Sequence, residues 1–377
     1  MVSLDDKEGD VKDMRIEPED LRELEEKGFD REEFERIWGD YASGRWERDL
    51  AIDPARLAPP ADADLTRPPG PGSAEHGRIE ALGREAMERG LVGSIVLNGG
   101  MATRFGSVVK GTVEVIGSRS FLDLKLSQIR SVSERVPIFL MNSQATHEAT
   151  LEHLARIGAA RTRIATFLQP VGPRISPEGA LVREGDGAIS TAGMGHGDVL
   201  AAFSRGGLDG FRAMGGRFLM VSNVDNLGAV LDPLIVGMHL ERGMKISVEV
   251  ARRRPEDKGG MPVLLDGRLA LVEGIRWPRD LDDGPYAAFN TNTFMIDADV
   301  FANPPRLDAY PVPKEVGGRT VVQFERILGE VTHFVDTAFL LVPAEGKGSR
   351  FIPVKRREDL EARRGEIEAC MSAWGVL

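Results

Sequence analysis

A glycine-rich loop at residues 97–111 carries the residue types that could hold a polyphosphate. It directly follows an apolar run and reads Leu-Asn-Gly-Gly-Met-Ala-Thr-Arg-Phe-Gly-Ser-Val-Val-Lys-Gly. Glycines let the backbone approach phosphate oxygens and present N–H donors, while Arg104 and Lys110 supply positive charge. The spacing excludes a P-loop, because Gly111 rather than Ser or Thr follows Lys110, and Met101 breaks the dinucleotide-binding fingerprint. The loop alone is compatible with phosphate binding or with an ordinary turn.

Further segments place polar and charged residues beside apolar runs, and their order along the chain is informative. They occupy residues 136–143, 146–148, 167–170, 173–175, 195–198, 222–229, 289–292 and 350–355. Among them are Gly-His-Gly-Asp, Ser-Asn-Val-Asp-Asn-Leu-Gly-Ala, Phe-Asn-Thr-Asn and Arg-Phe-Ile-Pro-Val-Lys. In content and order they resemble the UDP-glucose pyrophosphorylase family, the uridylyltransferases that make UDP-sugars from UTP and sugar 1-phosphates. The resemblance extends over residues 80–360.

This resemblance implies attack by a sugar 1-phosphate oxygen on the α-phosphorus of UTP, with pyrophosphate leaving. Phosphate oxygens are already good nucleophiles, so the protein must chiefly align two anions and neutralise growing charge, without a covalent intermediate. Lys355 is implied at the α-phosphate and Lys110 at the leaving pyrophosphate, with Arg104 assisting. Without the family, Lys355 and Lys110 would be interpreted as solvated lysines and Arg104 as part of a structural salt bridge.

The resemblance also implies Mg²⁺ as the cofactor, with Asp225 as its ligand. Hard cations take oxygen ligands, and Mg²⁺ uses one or two carboxylates together with substrate phosphate. An aspartate after a buried strand could equally cap the following helix. The six histidines and one cysteine show no spacing of zinc-ligand type.

The residues implied for the nucleotide follow several different apolar runs. Gln169 can donate and accept, as the uracil edge requires. The residues expected to pack beside the base are Leu97, Asn98, Gly99, Gly100 and Met141. Gly195 and His196 precede a helix whose N–H groups suit a phosphate or ribose oxygen. Two alternatives stay open: Met141 as a plain core residue, and Asp198 as the cap of that helix.

The residues implied for the sugar are amides, a glycine and a carboxylate. This hydroxyl-binding set is Asn223, Gly260, Glu273, Asn290 and Asn292. Alternatively, Asn290 and Asn292 merely shape a turn. Thr-Arg-Phe-Gly around Arg104 is more similar to the related UDP-N-acetylhexosamine pyrophosphorylases, so glucose, N-acetylglucosamine and another hexose all remain open.

Two residues of the phosphate loop depart from the family pattern. Ala102 stands where the family usually has Gly, and Val109 stands where it usually has Pro. Ala102 adds a methyl group where backbone should approach phosphate, and Val109 loosens the turn that aims Lys110. These departures motivate a second class of function, a catalytically silent homologue that binds UDP-sugar.

Composition limits the partners and the compartment. The chain of 377 residues is 42% hydrophobic and 28% charged, with a net charge of −11, which is opposite to that of a nucleic-acid binder. The acidic N-terminus lacks the apolar core of a signal peptide, and no apolar run is long enough to span a membrane. Cys370 is the only cysteine, which excludes an internal disulfide and predicts a cytoplasmic protein. The oligomeric state stays open.

Apolar runs that alternate with amphipathic segments predict an α/β fold. We expect a Rossmann-like, mixed and mostly parallel sheet with helices on both faces, of the nucleotide-diphospho-sugar transferase type that the resemblance implies. Strands are predicted at 93–98, 136–141 and 218–222, and helices at 74–89, 121–129, 145–157 and 357–373. Sites in such sheets lie beyond the carboxyl ends of the strands, so Asn98, Asn142, Gln169 and residues 223–225 should meet.

The predicted domains follow this pattern along the chain. Residues 1–75 should form an N-terminal extension with two short helices in 17–49 and a proline-rich linker or strap unsuited to a central strand. Residues 76–356 should form the catalytic domain, and 357–377 a C-terminal helix. The β-helix that eukaryotic members carry at this end is not expected.

Overall fold

The computed structural model describes residues 16–102, 105–106, 108–159, 163–254, 257, 259–346 and 348–377. Within them the chain forms two compact units. The larger consists of Ala51–Gln169, His196–Leu307 and Ile327–Leu377, and the smaller of Pro170–Gly195, Asp308–Arg326 and the described part of Met1–Leu50. Both units combine stretches that are distant in sequence. The predicted division into 1–75, 76–356 and 357–377 stays a prediction.

An eight-stranded sheet forms the framework of the larger unit. In spatial order its strands are Leu65–Thr66, Thr337–Val342, Ile246–Arg252, Ala288–Asp297, Phe218–Asn223, Val92–Leu97, Ile138–Asn142 and Ile164–Leu168. Ala288–Asp297 pairs antiparallel with both of its neighbours, whereas the other neighbouring strands pair in parallel. The predicted mixed, mostly parallel sheet is therefore confirmed.

The strand Val92–Leu97 shows why helices must cover both faces of this sheet. All of its residues are buried; Val92 and Val96 pack into one apolar cluster, and Ile95 and Leu97 pack into another. Successive side chains of a strand point to opposite faces, so a strand buried on both sides needs a layer on each. The first cluster is completed by helices Ala74–Glu88, Phe121–Val132 and Pro233–Arg242, and the second by Val199–Gly206 and Leu208–Ala213.

The remaining elements of the larger unit are short or peripheral. Its other helices are His147–Arg156, Ala298–Ala302 and Arg357–Ala373. Its small sheets comprise Leu57–Ala58 with Met261–Leu265 and Arg268–Val272, Met101–Ala102 with Val108–Val109, and Glu114–Ile116 with Arg119–Ser120. Among the described helices, none has the length and apolarity that a membrane crossing requires.

The proline-rich segment is a strap with two short paired stretches. Leu57–Ala58 pairs with residues 264–265, and Leu65–Thr66 pairs with residues 339–340 at one end of the main sheet. Both stretches lie at the edges of their sheets, where prolines nearby cost no ladder hydrogen bond. The prediction that this segment forms no central strand is therefore correct.

Parallel pairing aligns the carboxyl ends of the central strands. Leu97 pairs with both Met141 and Asn223, and Asn142 pairs with Leu168. Polar residues at or just after these positions therefore emerge at one edge of the sheet, as the sequence predicts. This edge is the place to examine for a binding site.

The smaller unit packs helices against two β-hairpins. The hairpins are Val171–Pro173 with Thr191–Gly193, and Tyr310–Val316 with Arg319–Glu325. Residues 17–49, all of them described, form three helices rather than the predicted two: Pro18–Glu26, Arg31–Ala42 and Arg45–Asp49. Gly44 adopts a φ of 67°, a left-handed conformation that separates the last two helices and that glycine tolerates best. Phe34 and Phe324 meet edge to face in the core, with ring centroids 5.9 Å apart.

Candidate active site

Asn98 ties the first two strand ends together beneath the loop. Its Nδ2 donates to Asn142 Oδ1 at 2.8 Å and to Thr150 Oγ1 at 2.9 Å, and its backbone N–H donates to Met141 O at 2.9 Å. Asn98 is only 1% exposed. Its side chain therefore holds the strand ends together and is too deeply buried to contact a ligand. A ligand could contact only the backbone around it.

The residues implied for the base lie beside Asn98. Gln169 donates its backbone N–H to Asn142 O at 2.8 Å, and a Cβ placed on Gly99 would lie 3.2 Å from Gln169 Oε1. The Gln169 amide therefore flanks the glycine-rich loop, and its role in reading uracil stays a prediction. Met141 is 2% exposed and packs with Leu97 in an apolar cluster, which is the placement of a core residue.

The phosphate loop folds as a short hairpin. Met101–Ala102 pairs with Val108–Val109, and Lys110 N donates to Gly100 O at 3.2 Å. Arg104, a predicted catalytic residue, lies outside the described residues, as do Thr103 and Ser107. The loop therefore contributes Lys110 and the backbone of Gly99 and Gly100 to the described site.

Gly111 allows the loop to pass directly over Asn98. A Cβ at Gly111 would lie 2.2 Å from Asn98 Oδ1, far inside contact distance. We therefore expect Gly111→Ala to lower the free energy of unfolding by about 1–3 kcal/mol, since either the loop or Asn98 must move. Gly100→Ala is the matched control for stability, because among the described residues, its two chain neighbours aside, no atom lies within 4 Å of a Cβ there. Equal urea midpoints for both variants would contradict this account.

Val109 already has the backbone conformation of a proline. Its φ is −65° and its ψ is 123°, and the preceding Val108 is extended. Antiparallel pairs alternate, so the bond between Lys110 N and Gly100 O places the Val109 N–H outside the hairpin ladder. We expect Val109→Pro to raise the free energy of unfolding by about 0.4–1 kcal/mol. Thermal unfolding measures this gain, and a loss of stability would show that the N–H has an essential partner.

Lys110 and Asp225 form an ion pair at the edge of the sheet. The Lys110 ammonium contacts Asp225 Oδ2, and both side chains are mostly buried, with 17% and 15% exposed. Asp225 does not cap the following helix, because that helix begins at Pro233 and Asp232 accepts from Leu234 N as its cap. The structure therefore removes the capping alternative for Asp225.

Asp225 has the donor chemistry of a magnesium ligand. In the described part of the chain, no three His, Cys, Asp or Glu side chains converge as a metal-binding group. A single carboxylate nevertheless fits Mg²⁺, which takes its other ligands from water and substrate phosphate. The Asp225 carboxylate already lies against the cation of Lys110, so it is placed to interact with positive charge.

The segment that carries Lys355 is attached to the loop after Asp225. Val354 N donates to Asp225 O at 3.2 Å, and Pro353 forms a β-bridge with Asn226. Lys355 N donates to Asp359 Oδ2 at 2.8 Å at the start of the C-terminal helix. The Lys355 side chain is exposed, and its ammonium makes no ion pair within the described ranges. The backbone thus brings Lys355 to the same place as Asp225 and Lys110.

The residues implied for the sugar form one hydrogen-bonded chain. Asn292 Nδ2 donates to Asn223 Oδ1 at 3.0 Å, and Asn292 N donates to Asn290 Oδ1 at 2.8 Å. Asn290 in turn donates from Nδ2 to Glu273 Oε1 at 3.3 Å and from its backbone to Gly260 O at 2.7 Å. Asn292 has a φ of 57°, so this is a shaped turn as well as a cluster. All five predicted residues are therefore neighbours.

Glu273 is the titratable member of that chain. Burial raises the pKa of its carboxyl to about 7; the hydrogen bond from Asn290 opposes this shift, and the charge of Glu330 adds to it. Two glycines lie close against the Glu273 carboxyl: a Cβ on Gly260 or on Gly329 would lie 2.5 Å from Glu273 Oε1. The Glu273 carboxyl therefore changes between its protonated and its charged form near neutral pH.

Glu273→Gln is expected to remove a pH dependence of stability. The folded-state pKa of about 7 exceeds the reference value of 4.5, so the wild type should lose stability as pH rises between these values and stay at the lower level above them. Gln resembles the protonated carboxyl. The variant should therefore gain about 2–3 kcal/mol in unfolding free energy over the wild type between pH 5 and pH 8. Urea unfolding at both pH values measures this; parallel curves would contradict the raised pKa.

Gly195 and His196 belong to different compact units. In the smaller unit Gly195 has a φ of 89°, and a Cβ there would lie 2.3 Å from Arg326 O. In the larger unit His196 Nδ1 accepts from Leu328 N at 3.3 Å, in a 3₁₀ turn that leads into Val199–Gly206. His196 therefore shapes its turn, and the roles predicted for both residues toward the nucleotide stay predictions.

Sequence reasoning missed a buried charged group behind the site. Glu249 and Arg350 are paired in the interior, and Lys125 lies close to them on helix Phe121–Val132. Lys125 shares the inward helix face with Leu122 and Ile129, at spacings of three and four residues. That spacing is the only sequence signal that marks Lys125 as buried.

Sequence comparison finds a matching family model and similar named proteins. The family model described as UTP–glucose-1-phosphate uridylyltransferase matches residues 74–367. Proteins named UTP–glucose-1-phosphate uridylyltransferase from Hordeum vulgare and Solanum tuberosum are 33% and 32% identical over 285 and 284 residues, or 70% of this chain. The chain spans 59% of the length of each of these relatives.

Solved structures share the fold. UDP-glucose phosphorylase from Trypanosoma brucei has a TM-score of 0.75 and 25% identity, covering 91% of this chain and 77% of its own. The UDP-N-acetylglucosamine pyrophosphorylase of the same organism has a TM-score of 0.71 and 20% identity, covering 88% and 79%, and indicates the fold alone. With the family model matching most of its length, this chain belongs to the UTP–glucose-1-phosphate uridylyltransferase family.

Proposed function

We propose that this protein forms UDP-glucose and pyrophosphate from UTP and glucose 1-phosphate. The observation that carries the proposal is the continuous amide and carboxylate chain from Asn223 to Glu273 beside the ion pair of Lys110 and Asp225. Asn223 and Asp225 lie two residues apart at the end of one strand. A hydroxyl-binding set and a phosphate-binding set are therefore adjacent at the edge where the central strands end.

The reaction proceeds by in-line displacement. An oxygen of glucose 1-phosphate attacks the α-phosphorus of UTP, and the bond from that phosphorus to the bridging oxygen of the leaving pyrophosphate breaks. Lys355 neutralises charge on the α-phosphate, and Lys110 neutralises charge on the leaving group. These cations must act locally, because the chain as a whole has a net charge of −11.

Magnesium is part of this proposal. Asp225 would hold the ion together with phosphate oxygens, and the ion supplies neutralising charge to those oxygens when bound. Lys110 and Asp225 touch each other, so each lies within reach of the phosphates that the other would bind. The Lys110 ammonium and a metal ion held by Asp225 would thus act on the same part of the nucleotide.

The nucleotide and sugar are distinguished by different residues. Gln169, beside Gly99, reads the uracil edge, while Glu273 and the asparagines bind sugar hydroxyls. The single cysteine supports a reducing, cytoplasmic setting. The substrates are accordingly UTP and a hexose 1-phosphate, with glucose as the sugar.

A substrate panel tests the proposal. The protein is incubated with Mg²⁺, UTP and glucose, galactose or N-acetylglucosamine 1-phosphate, and the UDP-sugar is identified by mass spectrometry. UDP-glucose should form fastest, and CTP or ATP in place of UTP should give little product. Faster formation of UDP-N-acetylglucosamine would reassign the sugar. Binding of UDP-glucose without product from any sugar would favour the catalytically silent homologue.

A further inference from the structure

A lysine is buried directly behind the turn that follows Asp225. Lys125 is 2% exposed, and its ammonium donates to Asn226 O at 2.8 Å and to Ala229 O at 2.6 Å. Lysines are almost never fully buried without partners, because desolvation of the charge is costly. Here both partners are carbonyls of the same short turn. Lys125 thus connects helix Phe121–Val132 to the backbone next to the predicted metal ligand.

The same turn is joined to the segment that carries Lys355. Asn226 Nδ2 donates to Arg350 O at 3.2 Å, and Asn226 Oδ1 accepts from Ile352 N at 2.8 Å. Val354 N donates to Asp225 O at 3.2 Å. Asn226 is therefore hydrogen-bonded through its backbone carbonyl to Lys125 and through its side chain to the segment that leads to Lys355.

The two backbones approach too closely for side chains between them. A Cβ on Gly228 would lie 2.8 Å from the carbonyl carbon of Arg350, and Arg350 Nη2 donates to Val230 O at 2.9 Å. The turn and the Lys355 segment are therefore held in direct backbone contact. Whatever fixes the turn also fixes the position of Lys355 relative to Asp225.

A side chain without a hydrogen-bond donor at position 125 could not do the same. Methionine would fill a similar volume without a charge to desolvate, but it would leave both carbonyls unpaired. Burial lowers the pKa of Lys125 to about 7; Arg350 adds to this shift, and Asp225, Cys370 and Glu249 oppose it. A nitrogen donor remains at this position in either protonation state.

We propose that Lys125 is a positioning residue that fixes the turn 225–229 and thereby sets Asp225 against Lys355. It touches no substrate; it acts through Asn226 and Ala229. The effect on turnover rests on the proposed function of the site, whereas the effect on local structure does not. The two can be tested separately.

Gln128 provides a matched control on the same helix. It is 1% exposed, donates from Nε2 to Leu231 O at 3.1 Å and accepts from Leu231 N at 2.9 Å. Lys125→Met and Gln128→Met each remove two buried hydrogen bonds to the loop between strand Phe218–Asn223 and helix Pro233–Arg242. Only Lys125→Met removes bonds adjacent to Asp225. A purely structural role would make the two variants behave alike.

Steady-state kinetics and amide hydrogen exchange of the two variants test the proposal. We expect Lys125→Met to lower kcat by about 10- to 100-fold with little change in the KM for UTP, because a small displacement of reacting groups is costly. Gln128→Met should keep kcat near the wild-type value. Exchange at Ile352 and Val354 should accelerate in Lys125→Met and not in Gln128→Met. If Lys125→Met matches its control in both measurements, the proposal is wrong.

Two further outcomes remain informative. If the wild type shows no turnover, the proposed function fails. Faster exchange at Ile352 and Val354 in Lys125→Met would still show that Lys125 fixes the turn 225–229 against the Lys355 segment. If Lys125→Met does not fold, exchange in the wild type decides: these two amides must be protected as strongly as the strand Phe218–Asn223. Faster local exchange there would overturn the proposal.

Discussion

Replacing Lys355 by alanine should lower kcat by about 10²- to 10³-fold, the usual cost of removing a group that stabilises charge in the transition state. The fold should not change, since the side chain is exposed and its backbone N–H still donates to Asp359. The free energy of unfolding is expected within about 0.5 kcal/mol of the wild type. Initial rates at saturating substrates and urea unfolding measure the two effects.

Arg357→Ala is the matched control for that experiment. Arg357 is exposed and lies two residues further along the same basic run, at the start of the C-terminal helix. Loss of general positive charge would affect both variants equally, whereas a specific role for Lys355 predicts normal turnover in the control. Lys355→Ala with near wild-type kcat would remove Lys355 from the mechanism.

Arg350→Met should cost the fold about 3–5 kcal/mol, the usual effect of removing one partner of a buried ion pair. Arg350 donates from Nε to Glu249 Oε2 at 2.6 Å and from Nη2 to Glu249 Oε1 at 2.5 Å, and both side chains are nearly inaccessible. Burial raises the pKa of Glu249, and Arg350 opposes that rise. Without Arg350 the Glu249 carboxyl would be left buried without its ion-pair partner.

The double variant tests this explanation. Arg350→Met with Glu249→Gln removes the unpaired charge, so it should recover part of the stability that Arg350→Met loses. Unfolding free energies from urea titrations of both single variants and the double variant form the required cycle. If the two losses simply add, the ion pair does not explain the cost.

The central strands could be predicted from the sequence because each is a continuous run of mainly apolar residues. Val92–Leu97, Ile138–Asn142 and Phe218–Asn223 consist mainly of apolar or small residues. A polar residue ends the second and third strands, and Asn98 directly follows the first. That pattern predicts both the strand and the position of the site at its carboxyl end. Asn98, Asn142 and Asn223 could be placed together on this basis alone.

Other features depend on pairings that no local pattern encodes. The strand Ala288–Asp297 enters the sheet antiparallel between two parallel neighbours, and only this insertion brings Asn290 and Asn292 next to Asn223. Their grouping was implied by family resemblance, not by periodicity. The partners of Lys125 are likewise a hundred residues away in sequence, so the helix pattern marks it as buried without saying what it holds.

Asp225 and Lys110 illustrate the same limit in a single pair. The glycine-rich loop indicated phosphate chemistry for Lys110, and the family resemblance implied a metal role for Asp225. Nothing in the sequence predicted that the two side chains contact each other. The ion pair arises because the hairpin after Val92–Leu97 and the loop after Phe218–Asn223 follow adjacent parallel strands. Adjacent strands of this kind are what make such a site possible.

The most direct test of the proposed activity is the stoichiometry of products formed by the purified protein with UTP, glucose 1-phosphate and Mg²⁺. UDP-glucose is quantified by chromatography and pyrophosphate by an enzyme-coupled assay. We predict equal amounts of both products, formed only when both substrates are present. Phosphate or pyrophosphate released from UTP without glucose 1-phosphate, or no UDP-glucose from a protein that binds UTP, would contradict the uridylyltransferase assignment.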